Sequence, residues 1–287
     1  IGGLAVPGPN QLVIIDNHAS PGSGIPGETI LLCSDVNTDG DFDDPFEIVE
    51  LIAPLTITPG DFTGAQARLV PPGNPSGFSS GALMYQTADG ALSSGLYLVT
   101  EPTSTTTAAY RPAGAPVFPG FDYNGGFDFV SNGHLYMGAA NSSWTGEVFA
   151  FVNLNADETI GPGELNDIVT STSLTGGISD LVSDGEDDLF IITNPWGGAQ
   201  VQTFRAPANP LTGHVVPEPF ASTDSAWLRT ALINSKSLPF EPLLEETGAP
   251  QAALILGGYG DGWAQAKNLI VIRPDVNSGV SDWRAYR

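Results

Sequence analysis

The sequence predicts an all-β chain, a β-propeller of five or six four-stranded blades forming a single domain over residues 1–287. Three observations carry that prediction. Gly 35 and Pro 24 make up about a fifth of the 287 residues, against a usual share of roughly 12%. Hydrophobic residues at 41% still leave enough apolar material for a core, so this is not a disordered Gly/Pro tract. Above all, a unit of four short strands recurs along the chain about five times, and repeats of that size built from four strands are propeller blades. A pair of β-sandwiches is the runner-up, although sandwiches do not usually repeat a four-strand unit so regularly.

The second strands of the unit align best. They read Gln11-Leu-Val-Ile-Ile-Asp16, Gly95-Leu-Tyr-Leu-Val-Thr100, His134-Leu-Tyr-Met-Gly138, Asp188-Leu-Phe-Ile-Ile-Thr193 and Ala253-Leu-Ile-Leu-Gly257. Such unbroken apolar runs fit strands buried on both faces. Third strands follow at 28–35, 106–112, 147–155, 200–207 and 268–275, three of them closing on Tyr110-Arg111-Pro112, Phe204-Arg205-Ala206-Pro207 and Ile272-Arg273-Pro274. An arginine there either bridges neighbouring units or is an outward residue seeking a carboxylate. The stretches 53–80 and 221–242 match the unit poorly and read as a degenerate blade or as insertions. Within the latter, Asp224-Ser-Ala-Trp-Leu-Arg-Thr-Ala-Leu232 is the best short helix, with Asp224 as N-cap.

Charge is lopsided, with Lys+Arg 9 against Asp+Glu 32 and a formal net charge of -23. That balance excludes nucleic acid and anionic membranes, which require dense Lys and Arg. No apolar run is long enough to span a bilayer. Cys33 stands alone, so there is no disulfide framework. A start at Ile1 reads as a mature chain whose signal peptide has been removed, giving a secreted or periplasmic protein, although a trimmed chain would begin in the same way.

Much of the acid is concentrated in Asp35-Val-Asn37-Thr-Asp39-Gly40-Asp41-Phe-Asp43-Asp44-Pro-Phe-Glu47. Oxygen ligands at alternate positions with glycine sixth are what wraps a short loop around Ca²⁺. The closing glutamate is expected twelfth. Glu47 is thirteenth, so Asp43 or Asp44 competes with it for that place. A second copy runs Asn153-Leu-Asn155-Ala-Asp157-Glu-Thr-Ile-Gly-Pro-Gly-Glu164, with its glutamate twelfth but Glu158 in place of the glycine. A thinner third copy spans Asp275-Val-Asn277-Ser-Gly279-Val-Ser-Asp282. The metal ligands predicted are therefore Asp35, Asn37, Asp39, Asp41, Asp43 and Glu47, with Asn153, Asn155, Asp157 and Glu164. The competing reading is an Asp/Asn/Gly turn that needs no metal.

Loops between second and third strands belong to the opposite face. They carry Trp144, Trp196 and Trp263, each beside Asn or Asp, together with Tyr259, Asn17 and His18. Aromatic platforms among amides suit a neutral, carbohydrate-like ligand or a protein partner; equally, each tryptophan serves as packing between blades. Second strands end near Asp16, Glu101, Asn141 and Asn194, and first strands contribute Asp128 and Asp180. In a closed propeller these converge on the channel mouth as an oxygen-rich metal site able to activate water.

Other chemistry fails. Three scattered histidines, His18, His134 and His214, do not make a zinc site. There is no Gly-x-Ser-x-Gly elbow, Walker loop or dinucleotide fingerprint.

The blade text, typified by Gly177-Ile-Ser-Asp-Leu-Val-Ser-Asp-Gly-Glu-Asp-Asp-Leu-Phe-Ile-Ile-Thr-Asn194, resembles the NHL and gluconolactonase-like propellers over most of the chain. The Asp-rich hairpin after a third strand is similar to secreted bacterial members of that group. The resemblance implies one divalent cation in the channel, with Glu101, Asn141, Asn194 and Asp180 as its ligands by position in the repeat. Two readings follow. One is a calcium-stiffened extracytoplasmic binding or assembly module; the other is a metal-dependent hydrolase or lactonase using the channel carboxylates.

Overall fold

The computed structural model describes residues 3–16, 29–52, 66–87, 95–99, 118–119, 123–141, 143–157, 159–183, 187–193, 199–222, 226–233, 253–259, 267–274 and 283–286. These form twenty strands in five four-stranded antiparallel sheets, each sheet taking its strands in chain order. The first sheet holds β1 (Gly3–Ala5), β2 (Gln11–Asp16), β3 (Thr29–Ser34) and β4 (Ile48–Ile52). The second holds β5 (Gln66–Leu69), β6 (Leu83–Thr87), β7 (Gly95–Val99) and β8 (Phe118–Pro119). The third is β9 (Tyr123–Phe129), β10 (Leu135–Ala140), β11 (Gly146–Phe151) and β12 (Leu165–Val169). The fourth is β13 (Ile178–Ser183), β14 (Asp188–Thr193), β15 (Gln200–Arg205) and β16 (Glu218–Ser222), and the fifth β17 (Ala226–Ile233), β18 (Ala253–Tyr259), β19 (Lys267–Pro274) and β20 (Trp283–Tyr286). Among the described residues the one helical element is a 3₁₀ turn at Ser171–Ser173, and no helix is long and apolar enough to cross a membrane.

The core lies between consecutive sheets. Val13, Ile30 and Leu32 of the first sheet pack with Leu83, Tyr85 and Tyr97 of the second. Met84, Leu96 and Leu98 turn the other way, onto Phe127, Leu135, Met137 and Phe151 of the third. Tyr136, Val148 and Ala150 then meet Leu181, Leu189, Ile191 and Phe204 of the fourth. A middle strand is thus covered on both faces, which is why its sequence is apolar at every position rather than alternating. All six residues of β10 are buried. First strands of successive sheets lie side by side: β1 against β5, β5 against β9, β9 against β13 and β13 against β17.

Three sequence expectations are revised. Gly95–Val99 is the third strand of its sheet, not the second, because both middle strands of a doubly covered sheet carry the same apolar text. The poorly matched stretch 53–80 holds β5, a first strand, and 221–242 holds the end of β16 and all of β17. The expected helix at 224–232 is therefore the strand β17, paired antiparallel to β18 with Leu232 opposite Leu254. A short apolar run fits either period, and here a partner strand decides it. Residues 106–112, expected as a third strand, lie outside the described residues.

Candidate functional site

The two Asp/Asn-rich segments are the β3–β4 and β11–β12 connections, equivalent places in the first and third sheets. Their third to fifth positions are built alike. Asp39 N donates to Asn37 Oδ1 (2.9 Å) and Asp157 N to Asn155 Oδ1 (3.2 Å). Asn37 Nδ2 donates to Asp39 Oδ2 (2.9 Å), and Asn155 Nδ2 to Asp157 Oδ2 (3.0 Å). The fourth residue of each, Thr38 and Ala156, has φ of 63° and 56°. Side-chain oxygens folding back on N–H groups two residues ahead are Asx turns; they set the curl of the loop.

A buried glutamate closes each curl. Glu47, 1% exposed, accepts from Val36 N (2.9 Å) and Asp44 N (3.1 Å). Glu164, 5% exposed, accepts from Leu154 N (2.6 Å), Asn155 N (3.2 Å) and Gly161 N (2.7 Å). The backbone repeats the pattern, with Ser34 N donating to Glu47 O (2.7 Å) and Val152 N to Glu164 O (2.9 Å). Glu47 thus occupies the place of Glu164, and the first loop has one extra residue. Of its competitors, Asp44 lends its N–H to Glu47, and its carboxylate takes a short bond from Asn37 Nδ2.

Electrostatics separates the two. Asp43 is hydrogen-bonded to the Asp41 side chain, and that bond, the charge of Asp41, and the charges of Asp39 and Glu47 hold its carboxyl above the ordinary aspartate value. No Lys or Arg occurs between Asp35 and Glu47 to offset this crowding. Among the described residues no three His, Cys, Asp or Glu side chains converge as ion ligands; the carboxylates rest on the loop's own N–H groups. Asp35, for example, accepts from Asp39 N (3.1 Å) and Gly40 N (3.0 Å). Each oxygen so engaged keeps a further lone pair. The third copy, Asp275 to Asp282, lies outside the described residues.

A second polar cluster joins the first strands. Gln66 of β5 donates to the carboxylate of Asp180 on β13 and accepts from Phe127 N on β9 (3.2 Å). Asp128 of β9 accepts from Arg68 Nε of β5 (3.2 Å) and Ser183 N of β13 (3.0 Å). Three sheets are therefore laced by side chains that sequence reading separated widely. Gly126, at φ 76°, makes room, since a Cβ there would overlap the Asp180 carboxylate.

Of the channel ligands expected, Asp180 is wholly buried in this lacing. Asn141 is exposed, and its Oδ1 accepts from Ser143 N (2.9 Å), Thr145 N (3.1 Å) and Thr145 Oγ1 (2.6 Å), so it holds the β10–β11 turn. Glu101 and Asn194 lie outside the described residues, as do Asn17, Trp196 and Trp263. Tyr259 ends β18. Trp144, half-buried with φ 57°, lies over Gly177 at the start of the next sheet, where an added Cβ would come within 3.0 Å of its Cε3. The arginine expectation resolves at Arg205, which is exposed and pairs with Asp187 of its own sheet at 3.3 Å.

Fold and site together define an all-β protein of repeated four-stranded meanders with two glutamate-closed, Asp/Asn-rich hairpins. The fold is similar to that in the crystal structure of an endo-1,4-beta-xylanase from Bacteroides thetaiotaomicron VPI-5482, with a TM-score of 0.51 and 8% sequence identity over 97% of this chain and 91% of that one. No protein-family model matches the chain, and no curated protein matches it in sequence.

Proposed function

We propose that the chain is a five-bladed β-propeller acting outside the cytoplasm as a binding or assembly module, stiffened by calcium in its β3–β4 and β11–β12 hairpins. Five sequential meanders with adjoining first strands support the propeller. The observation that carries the calcium reading is the crowding of Asp39, Asp41, Asp43 and Glu47 in one loop without a basic side chain. A divalent cation removes that repulsion, and hard oxygen donors select Ca²⁺. Asp35, Asn37, Asp39 and Asp41 would hold it in the first hairpin; Asn153, Asn155 and Asp157 are their counterparts. Sites of this kind suit the millimolar calcium outside cells.

The binding reading is favoured over the hydrolase because the described candidates for a channel site, Asp180 and Asn141, are occupied in holding the fold. A neutral, carbohydrate-like molecule or a protein is the ligand class for the face of Trp144. The xylanase is a likeness of fold and lends no substrate.

Thermal melting in calcium, in magnesium and in EGTA tests the proposal. An ion bound only by the native state stabilises by mass action, about 2.7 kcal/mol at a hundredfold excess over Kd. Calcium is expected to raise the Tm and magnesium to do so far less. Coincident curves in calcium and EGTA would end the calcium reading.

A further inference from the structure

The closing turns of the two hairpins are the same turn with one difference. Asp44-Pro45-Phe46-Glu47 and Gly161-Pro162-Gly163-Glu164 each place proline second and bond the fourth N–H to the first carbonyl, at 3.3 Å and 3.2 Å. Each also has its third residue at positive φ, 75° for Phe46 and 88° for Gly163. A proline-second turn with positive φ at the third place is where glycine belongs. Gly163 obeys; Phe46 does not. A bulky side chain at such a φ is an outlier, and burial does not explain it, because Phe46 is 90% exposed. Glycine would suit both backbone and solvent better. Val36, 69% exposed, gives its N–H to Glu47, and Ile48, 52% exposed, follows that same residue.

We propose that Phe46, flanked by Val36 and Ile48, is a docking knob for a protein partner presenting an apolar pocket rimmed by Lys and Arg. Single exposed apolar residues are ordinary, but here one is set where the backbone resists it, beside others in one hairpin. The partner's charge follows from the surroundings. Asp43 and Asp44, exposed in this hairpin and outside the four residues proposed to hold the cation, steer and orient a basic rim while repelling acidic surfaces. A second copy of this chain is disfavoured by the same reasoning, since it brings a net charge of -23 to the contact. The inference rests on the binding-module reading and adds to it a contact on the hairpin side, apart from the face of Trp144.

Panning a random-peptide phage library on the immobilised full chain in calcium tests it, with Phe46→Gly as the comparison protein. Enriched peptides should combine Lys or Arg with aliphatic or aromatic residues. They should bind Phe46→Gly more weakly by roughly tenfold or more, as for a central anchor, and lose affinity with added salt. The Tm of Phe46→Gly should equal or exceed that of the parent. Absence of any Phe46-dependent peptide would overturn the proposal, as would a clear fall in Tm, which would make the ring structural. Self-association seen by sedimentation and lost in Phe46→Gly would replace the partner with a second copy. Phe46-dependent co-sedimentation with phosphatidylcholine vesicles would replace it with a lipid surface. Calcium-dependent melting retained in any of these cases leaves the stiffening hairpins standing.

Discussion

The first and third sheets carry the same kind of hairpin, and among the described residues its supports differ. In the first sheet the shoulder residue Asp35 gives its N–H to Asn10 O, in the β1–β2 turn of the same sheet (2.9 Å). In the third sheet the equivalent Asn153 reaches across to the neighbouring sheet. Its N–H donates to Ser76 O (2.7 Å) and its Nδ2 to Gly77 O (3.2 Å), both in the β5–β6 loop, and the residue is buried. The crossing hairpin is poor in acid: Asn153 stands where Asp35 does, and Gly161 where Asp44 does. The hairpin of the first sheet is dense in acid, with Asp35, Asp39, Asp41, Asp43, Asp44 and Glu47. Packing against a neighbour fixes the curl of the third sheet's hairpin; under the proposed calcium reading, a cation would do the same for the first.

The largest test of that difference is Gly77→Ala set beside Gly40→Ala. Gly77 has φ 80°, and an added Cβ would overlap the backbone carbonyl of Asn153. Neither backbone can retreat without giving up the bonds just described, so the variant should lose roughly 3 kcal/mol or more. Gly40 has φ 96° with nothing within 4 Å of the added atom. It should lose only the conformational penalty, about 1–2 kcal/mol. Urea unfolding of both measures it. Equal losses would mean that the second hairpin is not buttressed by its neighbour.

How far the sequence revealed this pair follows from the range of each interaction. The first five positions of both hairpins were legible, because Asx turns are made between residues two apart, as Asn37 with Asp39 and Asn155 with Asp157. The equivalence of Glu47 and Glu164 was not, since one added residue shifts the count while the backbone absorbs it in the loop. The clamp from Asn153 to Gly77 spans 76 positions and the bond from Gln66 to Asp180 spans 114; nothing local encodes either. Apolar text announced the middle strands but not their rank. Leu96, Tyr97 and Leu98 of β7 are as buried as Leu189, Ile191 and Ile192 of β14.

The closing glutamates give an intermediate effect. Glu164→Ala leaves the N–H groups of Leu154, Asn155 and Gly161 without their acceptor, and Glu47→Ala leaves those of Val36 and Asp44. Bonds to a charged acceptor are the strong ones, so about 2–3 kcal/mol should be lost in each case, more for Glu164. Measured in EGTA, the ordering Glu164 over Glu47 should hold. Measured in calcium, the Glu47 variant should also lose its calcium-dependent gain in Tm, if the acidic hairpin is the one that depends on the ion. A calcium response undiminished by Glu47→Ala would assign that response elsewhere.

The smallest effect is a titration, and it reports on charge alone. Asp43 sits above the ordinary aspartate value chiefly because of its hydrogen bond and charge contact with Asp41. A carboxyl raised on folding binds its proton more tightly in the native state than in the unfolded one. Its contribution to stability is therefore greatest at low pH and falls as pH rises through the unfolded and then the folded value. Since Asp43 is fully exposed, the change in stability is too slight to read from unfolding. Carboxyl-carbon NMR resolves it instead. In EGTA the Asp43 resonance should titrate at a higher pH than other exposed aspartates, and Asp41→Asn should bring it down. In calcium the midpoint should fall below the ordinary value, because a bound cation favours the charged form. A midpoint unmoved by calcium would show that the ion does not reach the first hairpin, and the contrast between the two hairpins would then be one of packing only.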